Sequence, residues 1–409
     1  MIEERNSRMV REVRKKMAEN AVPEGVQKKK GKKFFKKGKN KIILIGLIAI
    51  VVLGIGIYLY NQYRTYTSYR VLQTLEMKTE VESNYDMFGA YTVQYSKDGI
   101  ALLDTDGKSI WTKSYSMKSP KIVTNETYIV SADLTGNSIY LFDKDGKSQE
   151  YTMPYPIEDV EISDQGVIAV VLEDNNKNYI QLYDKEGNKI VDSNVSIEQS
   201  GYPLDIALSK DAMNLVVSYV TIDGMEAKST IAFYNFGSVG QNANSNKYVG
   251  GFYYTDTIFP KVEFLDNTTV CAYGDNQAIL YQVKNKPSNE EIKIPFDTQV
   301  RSIFSNEKYI GFVRRNEKEP ENGKYIVDVY NKKGSSVFRQ AVDIDYQKVK
   351  FDGNEIILIG EYECTILRLQ GDKKFYSRFD TGITDVIPIG KRNQYLVVES
   401  KSLQRIKLK

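Results

Sequence analysis

The phrases IALLDTDGK (100–108), IYLFDKDGK (139–147) and IQLYDKEGN (180–188) decide the fold of this chain. Each is a run of alternating β-formers that ends in an Asp-x-x-Gly turn and leads into another short strand. Aspartate tolerates unusual backbone angles and glycine supplies positive φ, so each turn closes a hairpin. Fainter copies follow in IAFYNFGS (231–238), AILYQVKNK (278–286), VDVYNKKGS (327–335), TILRLQGDK (365–373) and QRIKLK (404–409). Taken at equivalent positions, 104, 143, 184, 235, 282, 331, 369 and 408, the copies are 39, 41, 51, 47, 49, 38 and 39 residues apart. A period of this length with several strands in each unit is the signature of a β-propeller.

Within the third unit the pattern divides into four strands: Ile157–Ser163 innermost, then Val167–Glu173, Tyr179–Asp184 and Lys189–Asp192 outermost. Pro120, Pro156, Pro203 and Pro260 mark inner-strand starts, where proline is tolerated. Eight third-strand copies predict an all-β protein with eight blades; seven is the alternative, because the fourth to sixth units are hard to phase. The last copy lacks a fourth strand, and the first is preceded by a spare one, Val71–Met77. Pairing the two would close the ring and remove both exposed edges.

N-terminal to the repeats lies one uncharged run, Ile42–Tyr60 (IILIGLIAIVVLGIGIYLY). Nineteen helical residues cover about 28 Å, close to the hydrocarbon core of a bilayer. Residues 1–41 hold 15 Lys/Arg against 5 Asp/Glu, and the rest holds 41 basic against 48 acidic groups. Positive residues beside a spanning helix stay cytoplasmic. The expected organisation is a basic cytoplasmic tail (1–41), a transmembrane signal anchor (42–60), a linker (61–70) and an extracytoplasmic propeller (71–409). A cleaved signal peptide is disfavoured by the long basic region and the absence of a small-x-small site after Tyr60. In the tail, Lys28, Lys29, Lys30, Lys32, Lys33, Lys36 and Lys37 surround Phe34 and Phe35. That composition suits an anionic inner leaflet or serves simply as the topology signal. No folded recognition motif accompanies the charge, so no nucleic-acid partner is expected.

Residues 64–409 resemble the quinoprotein-like and WD40-like propellers. They are similar, more narrowly, to an uncharacterised family of single-pass membrane proteins of Gram-positive bacteria with an external propeller. The residues that carry the likeness are YPLDIALSKDAMNLVVSY (202–219), FYNFGSVGQN (233–242) and VGGFYYTDTIFPKVEF (249–264). That family is a domain of unknown function, and the resemblance implies no catalytic residues.

The chain contains no histidine. Ser-His-Asp and Cys-His machinery and histidine-ligated metals are thereby excluded. Trp111 is the single tryptophan, so the Trp-Asp signature of WD40 repeats is missing. The Asp104/Asp106 and Asp143/Asp145 turns lack the further oxygen ligands of a calcium loop; no metal or cofactor is expected. Cys271 and Cys364 fall on the second strand of blade five and near the third strand of blade seven. Such positions are too far apart for a disulfide.

Aromatic rings precede three inner strands in Tyr155-Pro156, Tyr202-Pro203 and Phe259-Pro260. Loops entering inner strands border one face of the channel, so Tyr155, Tyr202 and Phe259 are candidate binding residues. Wedging between adjacent blades is the alternative role. The segments Thr221–Lys228, Ser238–Lys247 and Asn316–Lys324 lengthen loops that suit function. The expected function is a membrane-anchored binding or scaffolding module in envelope assembly or surface sensing, with a protein or envelope-glycan partner. The alternative is an enzyme, either a quinoprotein-like oxidoreductase or a carboxylate-based hydrolase of wall glycans. Several acidic groups converging on one cavity would favour the enzyme, whereas a dry, tyrosine-lined face would favour binding.

Overall fold

A computed structural model of the chain describes residues 39–77, 83–174, 177–196, 201–243, 246–371 and 373–409. The lysine-rich tail through Lys37 lies outside the described residues. Two compact units result, with the boundary between Gln62 and Tyr63.

The first described element is α1 (Lys39–Tyr63), which contains the apolar run. β-Branched residues and glycines are frequent in it, yet nothing charged interrupts it between Ile42 and Tyr60. Its side chains are described from Leu44 to Tyr60, and the large hydrophobic ones are exposed, Leu53 and Ile45 among them. Among the described residues no helix is long and apolar enough to cross a membrane.

Residues from Tyr69 onward form eight four-stranded antiparallel sheets. In blades 1 to 7 the strands follow chain order from the channel outward. The inner strands are β2 (Asn84–Phe88), β6 (Pro120–Thr124), β10 (Ile157–Ile162), β14 (Tyr202–Leu208), β18 (Lys261–Phe264), β22 (Val300–Ser305) and β26 (Tyr346–Asp352). Blade 8 is composite. Its inner strand β30 (Ile383–Pro388) is followed by β31 (Gln394–Glu399) and β32 (Ser402–Leu408), and its outermost strand is β1 (Tyr69–Glu76) from the other end of the chain. β1 lies antiparallel to β32, with Tyr69 opposite Leu408 and Leu75 opposite Leu403. The spare strand therefore closes the ring as its sequence predicts, beginning two residues earlier. The third unit also matches: β10 is followed by β11 (Ile168–Asp174), β12 (Lys177–Tyr183) and β13 (Lys189–Ser196).

The expected linker 61–70 is shorter than its sequence suggests. The helix runs to Tyr63, and Tyr66 is already buried, with its N–H donating to the Lys374 carbonyl (2.8 Å). Thr221–Lys228 is not a loop. It continues the ladder of β15 (Asn214–Asp223) and β16 (Glu226–Asn235) as far as Asp223 opposite Glu226, ending in an exposed tip at Met225. Within Ser238–Lys247 a short helix, α2 (Ser238–Ala243), forms, and Pro320–Asn322 makes one 3₁₀ turn.

The core is a series of apolar layers between neighbouring blades. Val130, Val160, Val170 and Leu172 fill one layer; Phe312, Leu280 and Tyr273 fill another. Trp111 closes the outer part of such a layer, stacking on Phe142 (5.5 Å) and donating its indole N–H to the Lys144 carbonyl (3.1 Å). Gly146 sits beneath the indole with φ +80°, and a Cβ there would lie 2.8 Å from the ring. In this position Trp111 is a packing residue. Cys271 on β19 (Thr269–Tyr273) and Cys364 on β28 (Glu363–Arg368) are buried and free, in blades 5 and 7.

Candidate functional site

An inner strand has one free edge, and that edge looks into the channel. Its backbone N–H groups need partners there. In five blades the inner strand carries a register shift near its start, at Ile157/Asp159, Pro203/Asp205, Val300/Ser302, Tyr346/Lys348 and Ile383/Asp385. A bulge re-aims the side chain that follows it. Asp159, Asp205 and Asp385 occupy that position, and Asp86 on β2 behaves alike without a shift.

The carboxylates satisfy the free edge. Asp86, Asp159 and Asp385 each accept from the next residue's N–H (2.7, 2.8 and 2.8 Å). Asp159 also accepts from Ile206 N–H in blade 4 (3.3 Å), and Asp205 from Val262 N–H in blade 5 (2.8 Å). These aspartates are clasps between successive inner strands. The recurring Asp-apolar pair (Asp86-Met87, Asp159-Val160, Asp205-Ile206, Asp385-Val386) was a signal in the sequence that strand alternation alone does not single out.

Lysines from other inner strands balance them. Lys121 pairs with Asp159 and stands 4.0 Å from Glu161; Lys261 stands 3.9 Å from Asp205; Lys350 and Lys348 reach Asp385 at 3.0 and 3.6 Å. Burial alone would lower the Lys121 pKa, but Asp159 and Glu161 outweigh it and the net shift is upward. Burial pushes the Glu161 carboxyl up to about 8 against the pull of Lys121, and Asp205 up to about 7 against Lys261. Carboxylic acids are thus kept partly protonated near neutrality inside the channel.

Where the inner strands end, the channel opens into a cavity of about 470 Å³ framed by residues from seven blades. Glu126, Glu161, Asp164, Glu263, Glu307 and Asp352 line it, against Lys210 and Lys261. Lys210 bridges to Glu307 across the mouth. The rim therefore carries an excess of carboxylate and hydrogen-bond acceptors.

The three aromatic candidates are not brought together. Tyr155 is half-buried and stacks in parallel on Tyr179 (5.1 Å, 9°). Tyr202 donates its hydroxyl to Glu158 (3.2 Å), and burial and then Glu158 push its pKa up to about 12. Both lie at the channel end opposite the cavity, where inner strands begin. Phe259 corrects the expectation: it is 0% exposed, packs edge-on against Tyr254 (4.9 Å) and fills the layer between blades 4 and 5. A ring with no accessible surface cannot receive a ligand. The Asp-x-x-Gly residues serve the turns: Asp104 accepts from Asp106 and Lys108 N–H (2.8 and 2.9 Å). Among the described residues no group of three or more acidic or cysteine side chains is arranged to hold a metal.

A ring of eight antiparallel sheets, locked by pairing of the first and last strands, defines an eight-bladed β-propeller. The chain belongs to DUF5711, a family of unknown function, whose model matches residues 62–408. No curated protein matches the sequence. Among solved structures, Sqt1 of Saccharomyces cerevisiae is similar with a TM-score of 0.52 at 11% identity, covering 84% of this chain and 100% of its own. BamB of Moraxella catarrhalis gives 0.49 at 8% identity, covering 83% and 100%. Virginiamycin B lyase of Staphylococcus aureus gives 0.46 at 13%, covering 84% and 100%. Identities this low speak to the fold alone.

Proposed function

We propose that this protein is a membrane-anchored propeller that binds a protein or glycan partner of the cell envelope at its channel mouth. The cavity of about 470 Å³, framed by seven blades, carries the binding reading. A concave site assembled from many rigid elements is where propellers place ligands. The deeper carboxylates are committed to lysines and backbone N–H groups, so they shape the lining while the rim remains for a partner. The anchor reading is supported by the uncharged run Ile42–Tyr60 with nine lysines between Lys28 and Lys41 before it. It places the tail in the cytoplasm, against the anionic leaflet, and the propeller outside, in the envelope of a Gram-positive cell.

Two experiments test this reading. Protease added to intact, wall-stripped cells should cut the propeller and spare the tail; a protected propeller overturns the orientation. A photo-crosslinking residue at Glu307, on the mouth, should capture a partner that the same residue at Met225, on the hairpin tip, does not. Equal or absent adducts would overturn the mouth as the binding site. The raised Glu161 pKa favours one second reading, a carboxylate-based glycan hydrolase with Glu161 as proton donor. Wall-glycan cleavage abolished by Glu161→Gln would establish it.

A further inference from the structure

The chain enters the propeller through a cluster of cations that its carboxylates do not balance. Arg368 closes β28 and is only 6% exposed. One prong of its guanidinium, Nη2, donates to the Arg64 carbonyl (2.7 Å); the other, Nη1, is buried and has no hydrogen-bond partner. The Arg64 guanidinium lies over the Tyr66 ring (5.0 Å), and the Tyr66 hydroxyl accepts from Asn393 Nδ2 (2.8 Å). Arg392, next to Asn393 in the chain, is exposed.

Lys374, on β29 (Lys373–Arg378), completes the group. It is 5% exposed, and its pKa is lowered first by burial; Arg368 and Arg392 add to the effect, while Glu355 opposes it. Lys374 thus feels the charge of both guanidinium groups. Glu355, which with Asp352 acts on this cluster, already accepts from Lys374 and from the Tyr395 hydroxyl. It has little left to offer a guanidinium. A buried donor without an acceptor is unfavourable, and a forked guanidinium matches two oxygens of a phosphate.

We propose that Arg64, Arg368 and Arg392 form a binding site for a phosphate oxyanion. Arg64 and Arg392 receive the anion from solvent, and Arg368 Nη1 gains the acceptor it lacks. Arg64 directly follows Tyr63, the last residue of α1. If the helix spans the bilayer, as proposed above, Arg64 stands at headgroup level. The oxyanion is then the phosphate of an anionic lipid; phosphate free in solution is the other source.

The test uses the full chain in neutral detergent micelles. Inorganic phosphate is titrated at constant ionic strength against chloride, and phosphatidylglycerol is separately doped into the micelles in place of phosphatidylcholine. Thermal unfolding reports binding, because a ligand selective for the folded state raises the midpoint. A rise with phosphatidylglycerol but not with millimolar phosphate assigns the site to lipid; a rise with both assigns it to phosphate from either source. Arg64→Gln and Arg392→Gln, at exposed positions that leave the fold intact, should each weaken the response at least about tenfold, as expected for a charge-assisted hydrogen bond. Arg368→Lys, which keeps the charge but loses the fork, should weaken it as well. No response to either probe, or responses unchanged in both glutamine variants, overturns the proposal. Flotation of the same protein with phosphatidylcholine vesicles reads the anchor independently, so the two readings fail separately.

Discussion

Deleting β1 should lower the stability of all eight blades together. Seven residue pairs join β1 to β32. At about 1 kcal/mol net for each backbone hydrogen bond, and roughly one bond per pair, the ladder contributes about 7 kcal/mol. Tyr69 adds a stacked contact with Phe379 (5.1 Å) and an edge contact with Phe375 (6.4 Å), together about 1 kcal/mol beyond the area they cover. A cooperative unit of roughly 340 residues has an unfolding entropy near 0.7 kcal/mol/K. Loss of about 8 kcal/mol then lowers the midpoint by about 11 °C. Calorimetry on the full chain and on a Tyr69–Glu76 deletion makes the comparison. A single transition displaced downward supports a ring that unfolds as one body. An unchanged main transition, with or without a small early melt from blade 8, would refute the reasoning, because closure would then hold only its own blade.

Other outcomes follow from single side chains. Cys271 and Cys364 should titrate as two free thiols per unreduced chain in denaturant, and neither should react in the native protein, because burial raises both thiol pKa values. A disulfide-linked fragment by mass spectrometry would show the blade assignment wrong. Glu161 binds its proton more tightly folded than unfolded, so stability is highest at low pH within this window and falls as pH rises from about 4.5 towards 8. Glu161→Gln should flatten that slope in urea midpoints measured between pH 5 and 8; an unchanged slope would clear Glu161 of the titration. Phe259→Ala should cost about 3–5 kcal/mol as a core truncation, whereas Tyr155→Ala should cost about 1 kcal/mol, the worth of one stacked pair. Equal losses in denaturant melts would contradict their different burial.

The architecture was legible because the third strands of blades 1 to 3 run into the same turn. Asp104, Asp143 and Asp184 all accept from backbone N–H groups two and four residues ahead. A local hydrogen-bonding requirement therefore recurs as a local motif. The uneven intervals have physical causes as well: the long β15–β16 hairpin precedes the fourth copy, and α2 follows it. The channel was less legible. Asp159 and Lys121 meet across 38 positions, and no periodicity reports which inner-strand charges will face one another. The bulges hid the inner-strand aspartates further, since an extra residue such as Glu158 or Leu204 breaks the alternation that marks a strand's two faces. Phe259 misled because a ring before Pro260 looks the same in sequence whether it lines a rim or fills a layer.

The pairing of β1 with β32 also sets a clock. Ser68 and Lys409 touch across 341 positions of chain, so β1 is made long before its partner exists. At roughly 5–20 residues per second, synthesis leaves that strand unpaired for about 20–70 s. Throughout that interval its backbone is an open edge, the element of a sheet protein that invites pairing with the wrong chain. Any nascent chain halted before Ser402 leaves the edge open for good, however well the preceding seven blades have formed. β32, made about 330 residues after β1, therefore decides whether β1 ends in its own ring or in a neighbour's.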